Sequence, residues 1–332
     1  MRLGLLLLIC LTAVLQAAST PSAALLVLSK GDNALAIVDP SSRQLIASVP
    51  CGPDPHEVVA STDGKWAYVS NYGGGAYNTL SVVDLTAQQA LPKIDLGALR
   101  GPHGLVYLAD KVWFTAEGAK AIGSYDPATR KIDWILGTGQ NRTHMIWVSA
   151  DMQRIVTSNV SSATVSIIEK TMAGGGGPVP PHLDWNETVV PVGHGSEGFD
   201  VSPDGKQIWV ANAQDGTVSV IDADSKKAVQ TLDANVKSAN RLKFTPDGKL
   251  AFVSALNGSD VTVLDTATRT VTRRINIGHG AAGILMEPDG ARAFVACTPD
   301  DYVAIIDLKS LAVTGHIGPI KHPDGLAWAV ER

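Results

Sequence analysis

The run SPDGKQIWVANAQDGTVSVID, from Ser202 to Asp222, holds one unit of this chain. Pro203-Asp204-Gly205 is a turn with a mechanism, because Pro presets φ and Gly accepts a positive φ. QIWVAN after it is a short β-branched and aromatic strand, and TVSVID is a second strand ending in an acid. Both signatures recur. The terminal acid reappears at Asp39, Asp84, Asp126, Glu169, Asp265 and Asp307, at intervals of 42 to 45 residues with one of 53. The turn recurs as STDG at Ser61–Gly64, TPDG at Thr245–Gly248 and EPDG at Glu287–Gly290. A period near 42 residues accommodates four short strands and their turns. Seven copies predict an all-β, seven-bladed β-propeller over residues 25–332, with four-stranded blades. Residues 25–50 supply three strands with none before them, and Pro323 to Ala329 supply an unpartnered inner strand. The termini are therefore expected to complete one blade and remove an open edge.

The strand pattern YVSN, WVAN and FVSA, with PDGK before it, resembles the YVTN-type (YncE-like) propeller repeats over nearly the whole of residues 25–332. The resemblance implies fold and leaves function open, since propellers carry lactonases, lyases, oxidoreductase domains and binding scaffolds. It also implies single-stranded DNA as one ligand class. A net charge of −5 argues against a nucleic-acid footprint.

Met1-Arg2, an apolar stretch from Leu3 to Leu15 and small residues near Ala17–Ser19 form a secretory signal pattern over residues 1–19. The apolar stretch is shorter than the roughly 20 residues needed to span a bilayer. The mature chain is expected to be periplasmic or secreted, without stable membrane insertion. Cleavage removes Cys10 and leaves Cys51 and Cys297 in different blades, so a disulfide is permitted but not required. The Gly- and Pro-rich insertion Thr171–Glu187 reads as a loop in the third blade, with His182 at the surface.

Counting back seven residues from the Asp of each turn, with weaker copies of it at Ala109-Asp110 and Ala150-Asp151, aligns His56, His103, His144, Glu197, Asn240 and Ala282, with Asp324 in the last, shortened copy. These residues begin the innermost strands and should ring one mouth of the central channel. Three imidazoles and a carboxylate from successive blades are a donor set for a divalent transition metal such as zinc, iron, copper or manganese. A polar, water-filled mouth with no metal is the competing reading. Lys30, Asn71, Glu117, Asn159 and Asn212 are read as a second tier at the ends of the next strands. Glu117 breaks that series beside His103 and is the expected base or ligand-orienting group. Arg142 and Arg241, beside ring positions, would hold an anionic substrate together with Asn71, Asn159, Asn212, Asn240 and Asp324. His194 and His279, in Gly-His-Gly motifs, could reach the rim, and Tyr72–Asn78 could form a glycine-rich lid. The expectation is a small-molecule site at the channel mouth, with metal-dependent lactone or ester hydrolysis, or oxidative chemistry, as its activity. A non-catalytic scaffold for protein or glycan is the alternative, although the chain offers only 18 Phe, Trp and Tyr residues for such a face. The sequence identifies no protein partner.

Overall fold

The computed structural model describes residues 18–175, 177 and 179–331, and in it seven four-stranded antiparallel sheets form a seven-bladed β-propeller. The leader reading rests almost wholly on residues 1–17, outside the described residues. Blades 1 to 6 begin with inner strands Pro55–Ala60, Pro102–Leu108, Thr143–Val148, Ser196–Val201, Ala239–Phe244 and Ala281–Met286. Blade 7 joins the two ends of the chain: Pro323–Val330 pairs with Ala23–Ser29, followed by Ala34–Asp39 and Gln44–Pro50.

Both sequence signatures have local causes. The Asp closing the third strand accepts backbone N–H bonds from the turn that follows, as Asp39 does from Ser41, Asp222 from Ser225 and Asp265 from Thr268. Glu169, the one Glu of the set, instead pairs with Arg154 and Lys226. Its blade is where the insertion departs from expectation. Much of Thr171–Glu187 is paired strand, because Thr164–Ala173 and His182–Pro191 continue as a ribbon with Thr171 opposite Asp184 and Ala173 opposite His182. Apolar residues alternating with polar ones at Met172, Leu183 and Trp185 let the hairpin lengthen, and the Gly/Pro run only turns it. His182 is exposed, as expected.

The apolar interior is seven separate layers, one between each pair of neighbouring blades. Trp209, Val218 and Leu232 of blade 4, for example, pack on Leu242 and Val253 of blade 5. The axis is therefore left to polar side chains. Cys51 and Cys297 are free thiols, and burial raises both to about 12. No helix among the described residues is long and apolar enough to cross a membrane.

Candidate functional site at the channel mouth

The first strands of blades 1 to 6 share a bulge: the register slips between Pro55 and Val58, Pro102 and Leu105, Thr143 and Ile146, Ser196 and Phe199, Ala239 and Leu242, and Ala281 and Ile284. A bulge breaks strict alternation, so two successive residues can face the axis. The amide it frees needs a partner. Gly104 N donates to Thr115 Oγ1 at 2.9 Å, and that hydroxyl donates to the carbonyl of His144 in the next blade at 2.7 Å. Ser158 links Met145 to Glu197, and Ser254 links Arg241 to Ala282, in the same way. His144, Glu197 and Ala282 are thus each fixed by the blade before them. Glycine after the ring residue lets neighbouring strands close in: a Cβ on Gly104 would lie 2.6 Å from the carbonyl oxygen of His144.

The ring side chains gather. The imidazoles of His103 and His144 lie with centroids 3.7 Å apart, and His56 is 4.7 Å from His103. His103 and His144 are almost wholly buried. Glu117 bonds His144 Nδ1 and accepts from the Tyr72 hydroxyl, while Glu197 Oε1 lies 2.9 Å from His144 Nε2. That second approach is close enough for an ion pair but lacks hydrogen-bond alignment, so His144 Nε2 remains without a hydrogen-bond partner. Burial works against charge on His144, yet Glu197 and Glu117 raise it to about 9. Burial likewise opposes charge on Glu197, but His144 and the two arginines lower it to about 2. His103 goes the other way. Burial, then the charge on His144, holds it well below the ordinary histidine range, and its Nδ1 is buried without a partner. A neutral imidazole therefore sits against a charged one.

These groups surround a cavity of about 560 Å³ whose wall includes Lys30, His56, Tyr72, His103 and Arg142. Lys30 bonds His56 Nδ1 at 2.7 Å and pairs with Asp54 at 3.0 Å and Asp324 at 3.3 Å. Arg142, the more exposed cation, is 3.6 Å from Glu117 and 3.9 Å from Glu197. Among the described residues no group of three or more His, Cys, Asp or Glu side chains stands in ligating geometry. The ring groups are instead engaged in this ion-pair network.

Asn240, Arg241 and Asp324 join the cavity wall as expected, but Asn71, Asn159 and Asn212 do not. Each of these three is fully buried within its blade and donates to a Thr and a Ser of the adjoining strand: Asn71 to Thr79 and Ser81, Asn159 to Thr164 and Ser166, Asn212 to Thr217 and Ser219. The second tier lies one residue later. By strand pairing Ala116, not Glu117, corresponds to these asparagines, and Ser29, not Lys30, does so in blade 7. A one-residue step exchanges faces. Lys30, Tyr72, Leu256 and Thr298 occupy the cavity wall from that later position, and Glu117 reaches the same network. His194 and His279 point away, exposed and paired with Asp215 and Asp300. Of the glycine-rich segment, Tyr72 reaches the cavity while Tyr77 is exposed.

Sequence reasoning missed one pair. Arg241 of blade 5 meets Glu57 of blade 1 across the channel, both largely buried, and burial opposed by Glu57, Asp324 and Glu197 leaves the arginine's affinity for its proton raised. Glu57 and Arg241 directly follow ring residues and turn inward through the bulge.

Residues 138–291, under half the chain, match the Cytochrome D1 heme domain family. No curated protein matches the chain. Among solved structures it is similar to Kuenenia stuttgartiensis hydrazine synthase, with 17% identity and a TM-score of 0.66, covering 83% of this chain and 89% of that one. A functionally unknown protein from Desulfotomaculum acetoxidans DSM 771 gives 12% identity and a TM-score of 0.73, covering 93% and 99%. Dihydro-heme d1 dehydrogenase NirN in complex with DHE gives 14% identity and a TM-score of 0.61, covering 91% and 74%. At these identities the likeness is one of fold.

Proposed function

We propose that the channel mouth binds a small anionic cofactor or substrate, and that an iron tetrapyrrole of the d1 class is the ligand, in place of a bare divalent metal held by His56, His103, His144 and Glu197. The observation that carries this reading is His103, a buried imidazole held neutral with Nδ1 unpartnered on the wall of the cavity. Neutral imidazole is the form that ligates haem iron, and an unpaired buried nitrogen is costly unless something else satisfies it. His103 would hold the iron, and Arg142 and Lys30 would meet the carboxylates of the macrocycle. When bound, the iron would supply redox or ligand-exchange chemistry. The match over residues 138–291 and the complex named for NirN support the choice of ligand. The YVTN-type repeat pattern and an exported location belong to the same reading.

Titration of the purified chain with haemin, as the available probe, tests it by Soret absorbance. Saturable one-to-one binding is expected, weakened by about tenfold or more in His103→Ala and restored by added imidazole. Absent binding, or equal binding by the variant, would overturn the tetrapyrrole. Elemental analysis of the native protein separates the alternatives: iron with a visible chromophore supports this reading, whereas zinc, copper or manganese without one returns the site to a bare metal.

The arrangement of Tyr72, Glu117, His144 and Glu197 favours a second reading, acid-base hydrolysis of a lactone or ester with Glu117 as the positioned base. Turnover of a simple lactone, lost in Glu117→Gln, would favour it over the first.

A further inference from the structure

Between blades 1 and 2 lies a second cavity of about 920 Å³ that shares no residue with the first. Its walls are Trp66, Tyr68, Tyr107 and Tyr125, with Leu91 and Ile94 beside them. Tyr68 and Tyr107 stack with centroids 5.8 Å apart and an 18° angle between their planes. The phenol hydroxyls of Tyr68, Tyr107 and Tyr125 make no hydrogen bond to another described residue and are open to the groove. Burial, then the neighbouring phenols and Asp63, keep Tyr68 protonated, and burial with Asp110 and Asp63 does the same for Tyr107. The rim carries the carboxylates of Asp63, Asp95 and Asp110 against two cations, Lys93 and Arg130. Asp63 takes both of its bonds, from Ser61 and Lys65, on Oδ1, which leaves Oδ2 open.

Three phenol hydroxyls, each able to accept as well as donate, stand beside three carboxylates that only accept, on a surface lined elsewhere by aromatic and aliphatic carbon. A cation that donates hydrogen bonds complements the carboxylates and the phenol lone pairs, while the phenol O–H groups turn to carboxylate or water. We propose that this groove binds an organic ammonium with an apolar tail, the ammonium lying among the phenol oxygens and the carboxylates of Asp63 and Asp110, the tail against Trp66 and Leu91. A saccharide would use the hydroxyls without needing the carboxylate excess, and a carboxylate ligand would need Arg130 and Lys93 to prevail.

Calorimetric titration of the purified chain with phenethylamine, its neutral counterpart phenethyl alcohol and 3-phenylpropionate separates these outcomes. The amine is expected to bind at least about tenfold more tightly than the alcohol, a difference of about 1.4 kcal/mol, and more tightly still than the acid. Asp110→Asn and Tyr107→Phe should each weaken the amine by about fivefold or more while leaving haemin titration at the mouth unchanged. Asn suits position 110, where φ is +57°. Equal affinity for amine and alcohol, preference for the acid, no heat with the amine up to about 10 mM, or indifference to both variants would overturn the proposal.

Discussion

His144 has a carboxylate at each ring nitrogen, and that placement makes stability depend on pH in a direction that can be worked out. Its folded pKa, about 9, lies above the ordinary 6.5, so its contribution is fully present below about pH 6.5 and is lost as pH rises through 9. Glu197, lowered to about 2 from 4.5, contributes above about pH 4.5 and loses that contribution as pH falls towards 2. Both are in force between about pH 4.5 and 6.5. Urea unfolding across pH should show this region as a plateau for these two groups, and His144→Gln should flatten the alkaline limb. Long-range proton–nitrogen NMR should find the His144 ring charged at pH 7 and the His103 ring neutral. Two adjacent imidazoles, tilted 33° to each other, take opposite protonation states because burial opposes charge on both and only His144 has carboxylates beside it to reverse that.

At the level of the strand, hydroxyls hold the ring in place. Thr115→Val keeps the shape but leaves the buried Gly104 amide unpaired and cuts the tie to the His144 carbonyl, so it should cost roughly 2 kcal/mol by denaturant titration. It should also lift the NMR-observed pKa of His103 towards its ordinary value as water enters the loosened bulge. Legibility in the sequence follows the same strands. The ring itself was readable because His56, His103, His144 and Glu197 share a fixed offset from a turn that marks every repeat. The asparagines were assigned to the mouth because they end a strand on that side, yet Thr79 and Ser81, and their equivalents, turn them into the blade interior. Ala116 stands where blade 2 would have its asparagine, and nothing in the local string WFTAE marks which of Ala116 and Glu117 ends the strand. Arg241 was named beside the ring, but Glu57 and its pairing with Arg241 escaped because alternation assigns Glu57 to the opposite face, and only the bulge reverses that. In Thr171–Glu187 the glycines and prolines masked the paired residues on either side of them.

For the whole molecule, the seven inter-blade layers carry the apolar burial and closure comes from strands at opposite ends of the chain. The Arg241–Glu57 pair ties blades 5 and 1 across the axis, outside any apolar layer. Removing one partner strands a buried charge, so Glu57→Gln should cost about 3–5 kcal/mol, whereas the double change Glu57→Gln with Arg241→Met should recover most of it. A double-mutant cycle by urea unfolding at pH 7 measures this coupling. The crossing pair also bears on what the cavity can hold. Arg241 belongs to the cavity wall while its guanidinium is already held by a carboxylate three blades round the ring, so an anion seeking that guanidinium must compete with Glu57 for it.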